Sequence, residues 1–152
     1  MFIDRENLPT FITGASGFIA TELIAALLAR GRAWHAASGK PVLMFTSSRE
    51  GEEQMLIDAL RAKPLGDVQW LIVPRHPQRF DAVAALFQAA GFGVSRRSAW
   101  QDAPQQADIW LGDSLGEMAL YYGLADVALL GGSFAPLGGQ NLIEAAACAC
   151  PV

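Results

Sequence analysis

Short apolar runs alternate with stretches of helical spacing along most of this chain. Residues 41–47 (PVLMFTS) predict a buried strand, and residues 50–62 a helix with Met55, Leu56, Ala59 and Leu60 on one face. Residues 70–73 predict the next strand. Beyond Pro74, the helical spacing of Phe80, Val83, Ala84 and Phe87 predicts a helix over residues 78–90, closed by Gly91. Residues 92–95 read as a short strand, 98–107 as a polar connection, 109–111 as a strand, and 115–122 as a helix ended by Gly123. Residues 127–130 are an all-apolar strand of the kind covered on both faces, and residues 140–149 predict a further helix. Strand and helix in strict turn predict an α/β fold, a Rossmann-like parallel sheet with helices on both faces. The pattern breaks off at Pro151 and Val152, where another strand is expected to begin.

Ligands of such sheets lie beyond the carboxyl ends of the strands. That rule gathers four segments on one edge: residues 46–50 (TSSRE), 74–79 (PRHPQR), 112–118 (GDSLGEM) and the run at 131–145 (GGSFAPLGGQNLIEA). In the last of these, Gly131 and Gly132 permit positive φ or close approach of a ligand to the backbone. The free N–H groups at the start of the following helix favour a phosphate or carboxylate near Gly138 and Gly139. Glu144 sits one turn later, where it can accept hydrogen bonds from a ribose diol. A plain turn followed by an exposed glutamate fits the same residues. Ser47 and Ser48 precede Glu50, Glu52 and Glu53 and read as a helix cap with a dipole-matched first turn, with ligand contact as an addition. Arg75, set between Pro74 and Pro77 beside His76, presents a planar fork suited to phosphate or carboxylate.

Composition narrows the chemistry. At 152 residues and 52% hydrophobic the chain is one ordinary domain or a piece of a larger one, and a net charge of −4 leaves no overall basic footprint for nucleic acid. Cys148 and Cys150 lie two apart, a spacing of neither a redox nor a zinc pair, and read as small buried residues. With the histidines far apart, no metal set is expected. The apolar runs fall short of the about 20 residues of a membrane span, and Asp4, Arg5, Glu6 and Pro9 interrupt any secretory signal.

Residues 11–20 (FITGASGFIA), followed by residues 21–30, resemble the strand, turn and helix that open a short-chain dehydrogenase, with Ala20 in place of the third glycine of TGxxGxxG. No Asp or Glu occurs between Glu22 and Glu50 to read a ribose, and Tyr121 and Tyr122 are followed by no YxxxK lysine. Residues 1–31 therefore read as a βα segment of uncertain origin in front of a domain at 32–152, with an NAD(P)-binding domain as the alternative.

The rest of the chain resembles the C-terminal domain of 3-deoxy-D-manno-octulosonic acid (Kdo) transferase, a GT-B glycosyltransferase of lipopolysaccharide assembly. The resemblance rests on residues 47–53 (SSREGEE), 73–80 (VPRHPQRF), 111–118 (LGDSLGEM) and 131–151, four motifs in the family order. It implies a lobe that binds CMP-Kdo, with Kdo passing to the lipid A precursor at the cytoplasmic face of the inner membrane and no cofactor. It implies further that Arg75 and His76 lie near the donor's charged groups and that Gly116, Glu117 and Met118 border the cytosine. Ser133, Gly138, Gly139, Gln140 and Asn141 would hold phosphate and Kdo, and Glu144 the ribose, with Ser47, Ser48 and Gly132 also among the substrate-binding residues. The base that deprotonates the acceptor hydroxyl belongs, by the resemblance, to the other lobe, so this chain is expected to bind donor without transferring it. A third reading is a non-catalytic piece whose exposed sheet edge drives self-association into a homodimer.

Overall fold

The computed structural model describes residues 18–64, 66–134 and 142–152. Among these, five strands form one sheet: β1 (Val42–Ser48), β2 (Gln69–Pro74), β3 (Val94–Arg96), β4 (Ile109–Leu111) and β5 (Val127–Leu130). Their order is β3-β4-β2-β1-β5 and every neighbouring pair is parallel, as the alternation of strands and helices predicts. The helices are α1 (Phe18–Ser38), α2 (Glu52–Ala62), α3 (Phe80–Ala89), α4 (Met118–Leu124) and α5 (Ile143–Ala147).

The period of two along the strands divides the core. Leu71 and Val73 of β2 pack with Met44, Ala128, Leu27, Trp34, Leu120, Tyr121 and Ala145, which places α1, α4 and α5 on one face. Trp70 and Ile72 pack with Phe45, Ile57, Leu60, Val83 and Phe87, which places α2 and α3 on the other. All six residues of β2 are buried, as befits a strand covered on both sides.

Several expected boundaries move, each for a local reason. The division expected between residues 31 and 32 falls inside α1, which runs on to Ser38. Within it Gly31 serves packing: a Cβ there would sit 2.3 Å from the Leu120 carbonyl oxygen, and one on Gly123 would sit 2.7 Å from that of Leu28. The two glycines let α1 and α4 touch backbone to backbone, so Gly123 lies within α4 instead of ending it. α4 starts at Met118 rather than at residue 115, because Gly116 takes φ 75°, outside the helical region. α3 does end as predicted, with Gly91 at φ 95° and its N–H bonded to the Gln88 carbonyl. The polar connection at 98–107 contributes a core residue, Trp100, whose ring stacks edge-on with Trp34 and Trp110. Cys148 and Cys150 are buried, as expected. Pro151 returns to β5, its carbonyl accepting the Ala128 N–H at 2.8 Å, where the pattern predicts a further strand. The dehydrogenase-like strand and turn at residues 11–17 lie outside the described residues.

Candidate functional site

The sheet order reverses at β1, so the loops that follow β1 and β5 lie side by side at the carboxyl edge. β1 ends in a bulge: its register against β2 shifts between Thr46 and Ser48, and Ser47 takes φ 55°, a conformation costly for a residue with a side chain. Gly131 is pressed onto this bulge. A Cβ there would meet the Ser47 carbonyl oxygen at 2.4 Å and the Ser48 Cα at 2.6 Å, so the glycine serves contact between the two loops. Gly132 follows at φ 77°, and its N–H points at the Glu52 carboxylate, 2.8 Å from both oxygens. Glu52 also accepts the N–H of Phe134 at 3.2 Å and that of Arg49 at 2.9 Å, and it is 1% exposed. The N–H of Gly132, a residue expected to contact the donor, is therefore already committed to a carboxylate of the chain itself. Ser133 is exposed beside it, whereas Gly138, Gly139, Gln140 and Asn141 lie outside the described residues.

A second buried carboxylate braces the loop after β2. Glu53 takes two parallel N–H bonds from Arg79, both at 2.9 Å, and the Ser48 hydroxyl donates to it at 2.6 Å. Ser48 is fully buried, so its hydroxyl serves this brace, while Ser47 is half-buried at the bulge. The Ser48 carbonyl accepts the Arg75 N–H at 3.1 Å and an Arg79 N–H at 3.2 Å. Between them Arg75 and His76 are held exposed at the rim.

Beyond β4 the polar side chains close on one another. Asp113 accepts from Arg96 at 2.7 Å and from the Ser98 N–H and hydroxyl at 2.8 and 2.6 Å. Burial pushes the Asp113 carboxyl up, but the bonds from Ser98 and Arg96 outweigh it and hold the group below its ordinary value. The Ser114 hydroxyl joins the Tyr121 hydroxyl to Glu117. Burial pushes Tyr121 up to about 12, so it stays a neutral hydrogen-bonding group. Glu117 pairs with Arg97 at 2.8 Å, and that guanidinium lies over the Trp34 and Trp100 rings, 5.4 and 6.0 Å from their centroids.

With Glu117 turned toward Arg97, its neighbours Gly116 and Met118 line a cavity of about 260 Å³ together with Ile24, Ala119, Tyr122, Glu144 and Cys148. The wall is apolar, and Glu144, exposed on the first turn of α5, sets a carboxylate at its side. Burial and the nearby Glu144 charge push the Cys148 thiol up to about 11, which keeps it protonated. The structure thus joins three predicted residues from two distant motifs. Sequence reasoning missed Ile24, Tyr122 and Cys148: Ile24 falls in the dehydrogenase-like segment, Tyr122 reads only against a YxxxK pair, and Cys148 only as a small buried residue. It also missed Glu52, Glu53 and Arg79 as braces, since acidic residues in a first turn are usually solvated there.

No family model matches the chain. It is 50% identical to the 3-deoxy-D-manno-octulosonic acid transferase of Bordetella pertussis over 93% of its own length and 34% of the relative's. That coverage is more than residues 32–152 could supply, so the likeness reaches into the first 31 positions. It is 36% identical to the Haemophilus influenzae enzyme of the same name over 74% of the chain and 27% of the relative. The chain thus spans about a quarter to a third of the length of these curated relatives. Its fold matches a crystal structure of the C-terminal CMP-Kdo binding domain of WaaA from Acinetobacter baumannii, with a TM-score of 0.70 and 30% identity, covering 84% of this chain and 69% of that one. The likeness in fold and in sequence over more than two thirds of that domain agrees with the family order of the four strand-end motifs, and this chain belongs to the 3-deoxy-D-manno-octulosonic acid transferase family.

Proposed function

We propose that this chain binds CMP-Kdo and is the donor-binding part of a glycosyltransferase that moves Kdo to the lipid A precursor. The observation that carries the reading is the cavity that brings Gly116 and Met118 to Glu144. Its size and apolar wall suit a nucleobase, and the Glu144 carboxylate at its side suits the two hydroxyls of a ribose. Arg75 and His76, exposed at the same edge, suit the donor's phosphate and carboxylate, with Ser133, Gly138, Gly139, Gln140 and Asn141 completing the grip.

In the transfer itself the acceptor hydroxyl attacks the anomeric carbon of Kdo while the bond from that carbon to the CMP oxygen breaks. The proton goes to a base on the other lobe and CMP leaves with the electron pair. This chain's part is electrostatic: cations at the rim favour the charge that builds on the leaving phosphate. Calorimetric titration with CMP tests the reading. The intact chain is expected to bind one CMP and Arg75→Ala to bind it more weakly. Absence of binding to the intact chain overturns the reading. Nothing in the comparisons supports the nicotinamide-binding alternative.

A further inference from the structure

We propose that Glu52 is the positioning residue of the glycine-rich loop, setting the backbone from Gly132 to Phe134 in the form that presents the exposed Ser133 to the donor. The inference rests on the donor-binding reading above and adds a residue that touches no donor.

Two N–H groups aimed at one point from a left-handed glycine make a concavity that ordinarily receives an anion. Here the occupant is the Glu52 carboxylate, brought from the first residue of α2 and buried to 1% exposure. Oε1 accepts from Gly132 at 2.8 Å and from Phe134 at 3.2 Å, and Oε2 accepts from Gly132 at 2.8 Å and Arg49 at 2.9 Å. Both oxygens are thus spent on main-chain donors of two loops. A dry carboxylate is costly unless its lone pairs are filled, and this one is filled by the loop after β5. The loop cannot slide away on the other side either, because Gly131 is in contact with the Ser47 bulge. A loop held at both points leaves Phe134 with a fixed direction, which preorganises the donor grip.

Glu52→Gln is the matched test, since it keeps size and removes one acceptor oxygen facing an N–H. Amide hydrogen exchange of the intact chain comes first. Gly132 and Phe134 are expected to exchange at least about 100-fold more slowly than unprotected amides, and exchange at the unprotected rate at both would overturn the anchoring. In Glu52→Gln those two amides should exchange faster while those of β1 and β2 keep their protection, and CMP affinity should fall about tenfold. Unchanged CMP affinity with faster exchange at Gly132 and Phe134 would overturn the positioning role and leave the donor reading standing. Failure of the intact chain to bind CMP, with both amides protected, would sink the donor reading, and the positioning role with it, while Glu52 remained a structural anchor. Should Glu52→Gln not fold, Glu52→Asp, which keeps the charge but falls short of the N–H groups, takes its place with the same expected losses.

Discussion

The Glu52 carboxylate lies 2.8 Å from the Gly132 N–H across 80 residues of sequence, and with the contact of Gly131 on Ser47 it sets how the loops after β1 and β5 meet. It answers, for Gly132, what the first two glycines of the run are for. They allow two loops to touch.

Gly131→Ala should be destabilising by about 2–3 kcal/mol, because the added methyl overlaps the backbone of Ser47 and Ser48 and neither loop has room to retreat. Gly66→Ala is the control, since an added Cβ there meets nothing within 4 Å. Urea unfolding of both variants reads the difference. Equal stability would mean that the loops do not touch.

Arg79→Ala leaves the buried Glu53 without its guanidinium. Removing one partner of a fully buried pair costs about 3–5 kcal/mol, and Arg79 is 21% exposed, so a loss of about 2–3 kcal/mol is expected. Arg79→Lys should recover only part, because an ammonium cannot make the two parallel bonds. Thermal unfolding midpoints check the order: unmutated, then lysine, then alanine.

Asp113 carries a pH signature. Its folded carboxyl sits below the ordinary value, so it binds a proton less readily when folded than when unfolded. Its stabilisation is therefore full above the unfolded carboxyl range, near pH 4, and is lost as pH falls through the folded value. Asp113→Asn should be less stable than the unmutated chain at pH 7, and the gap should narrow below about pH 4. Unfolding curves from pH 7 to 3 would show it, and a gap independent of pH would contradict it.

Glu144 is exposed on a five-residue helix at the side of the cavity, so Glu144→Gln should leave stability within about 0.5 kcal/mol. CMP affinity is expected to drop about tenfold with it, the loss of a charged acceptor to a ribose hydroxyl. Calorimetry and thermal unfolding on one preparation separate the two effects.

Much of the fold was legible because it depends on period. β4 and β5 sit where their apolar runs predict, and β1 and β2 within a residue. What the period could not show was contact between elements distant in sequence. Gly31 and Gly123 read as punctuation, yet they are the seam between α1 and α4. Glu52 and Glu53 read as surface acids at a helix start, yet the loop after β5 and Arg79 bury them. At the site, Gly116, Met118 and Glu144 could be named from their motifs. That Glu117 turns away to Arg97, and that Ile24 of α1 lines the same cavity, depended on the packing of α1, which no local pattern states.

The most direct test of the donor-binding account is to map CMP onto the folded chain by amide and methyl chemical shifts. The account predicts shifts at Ile24, Gly116, Met118 and Glu144 and at the rim by Arg75, with Lys40 and Gln69 at the opposite end of the sheet unmoved. Shifts confined to that opposite end, or none at saturating CMP, would contradict it.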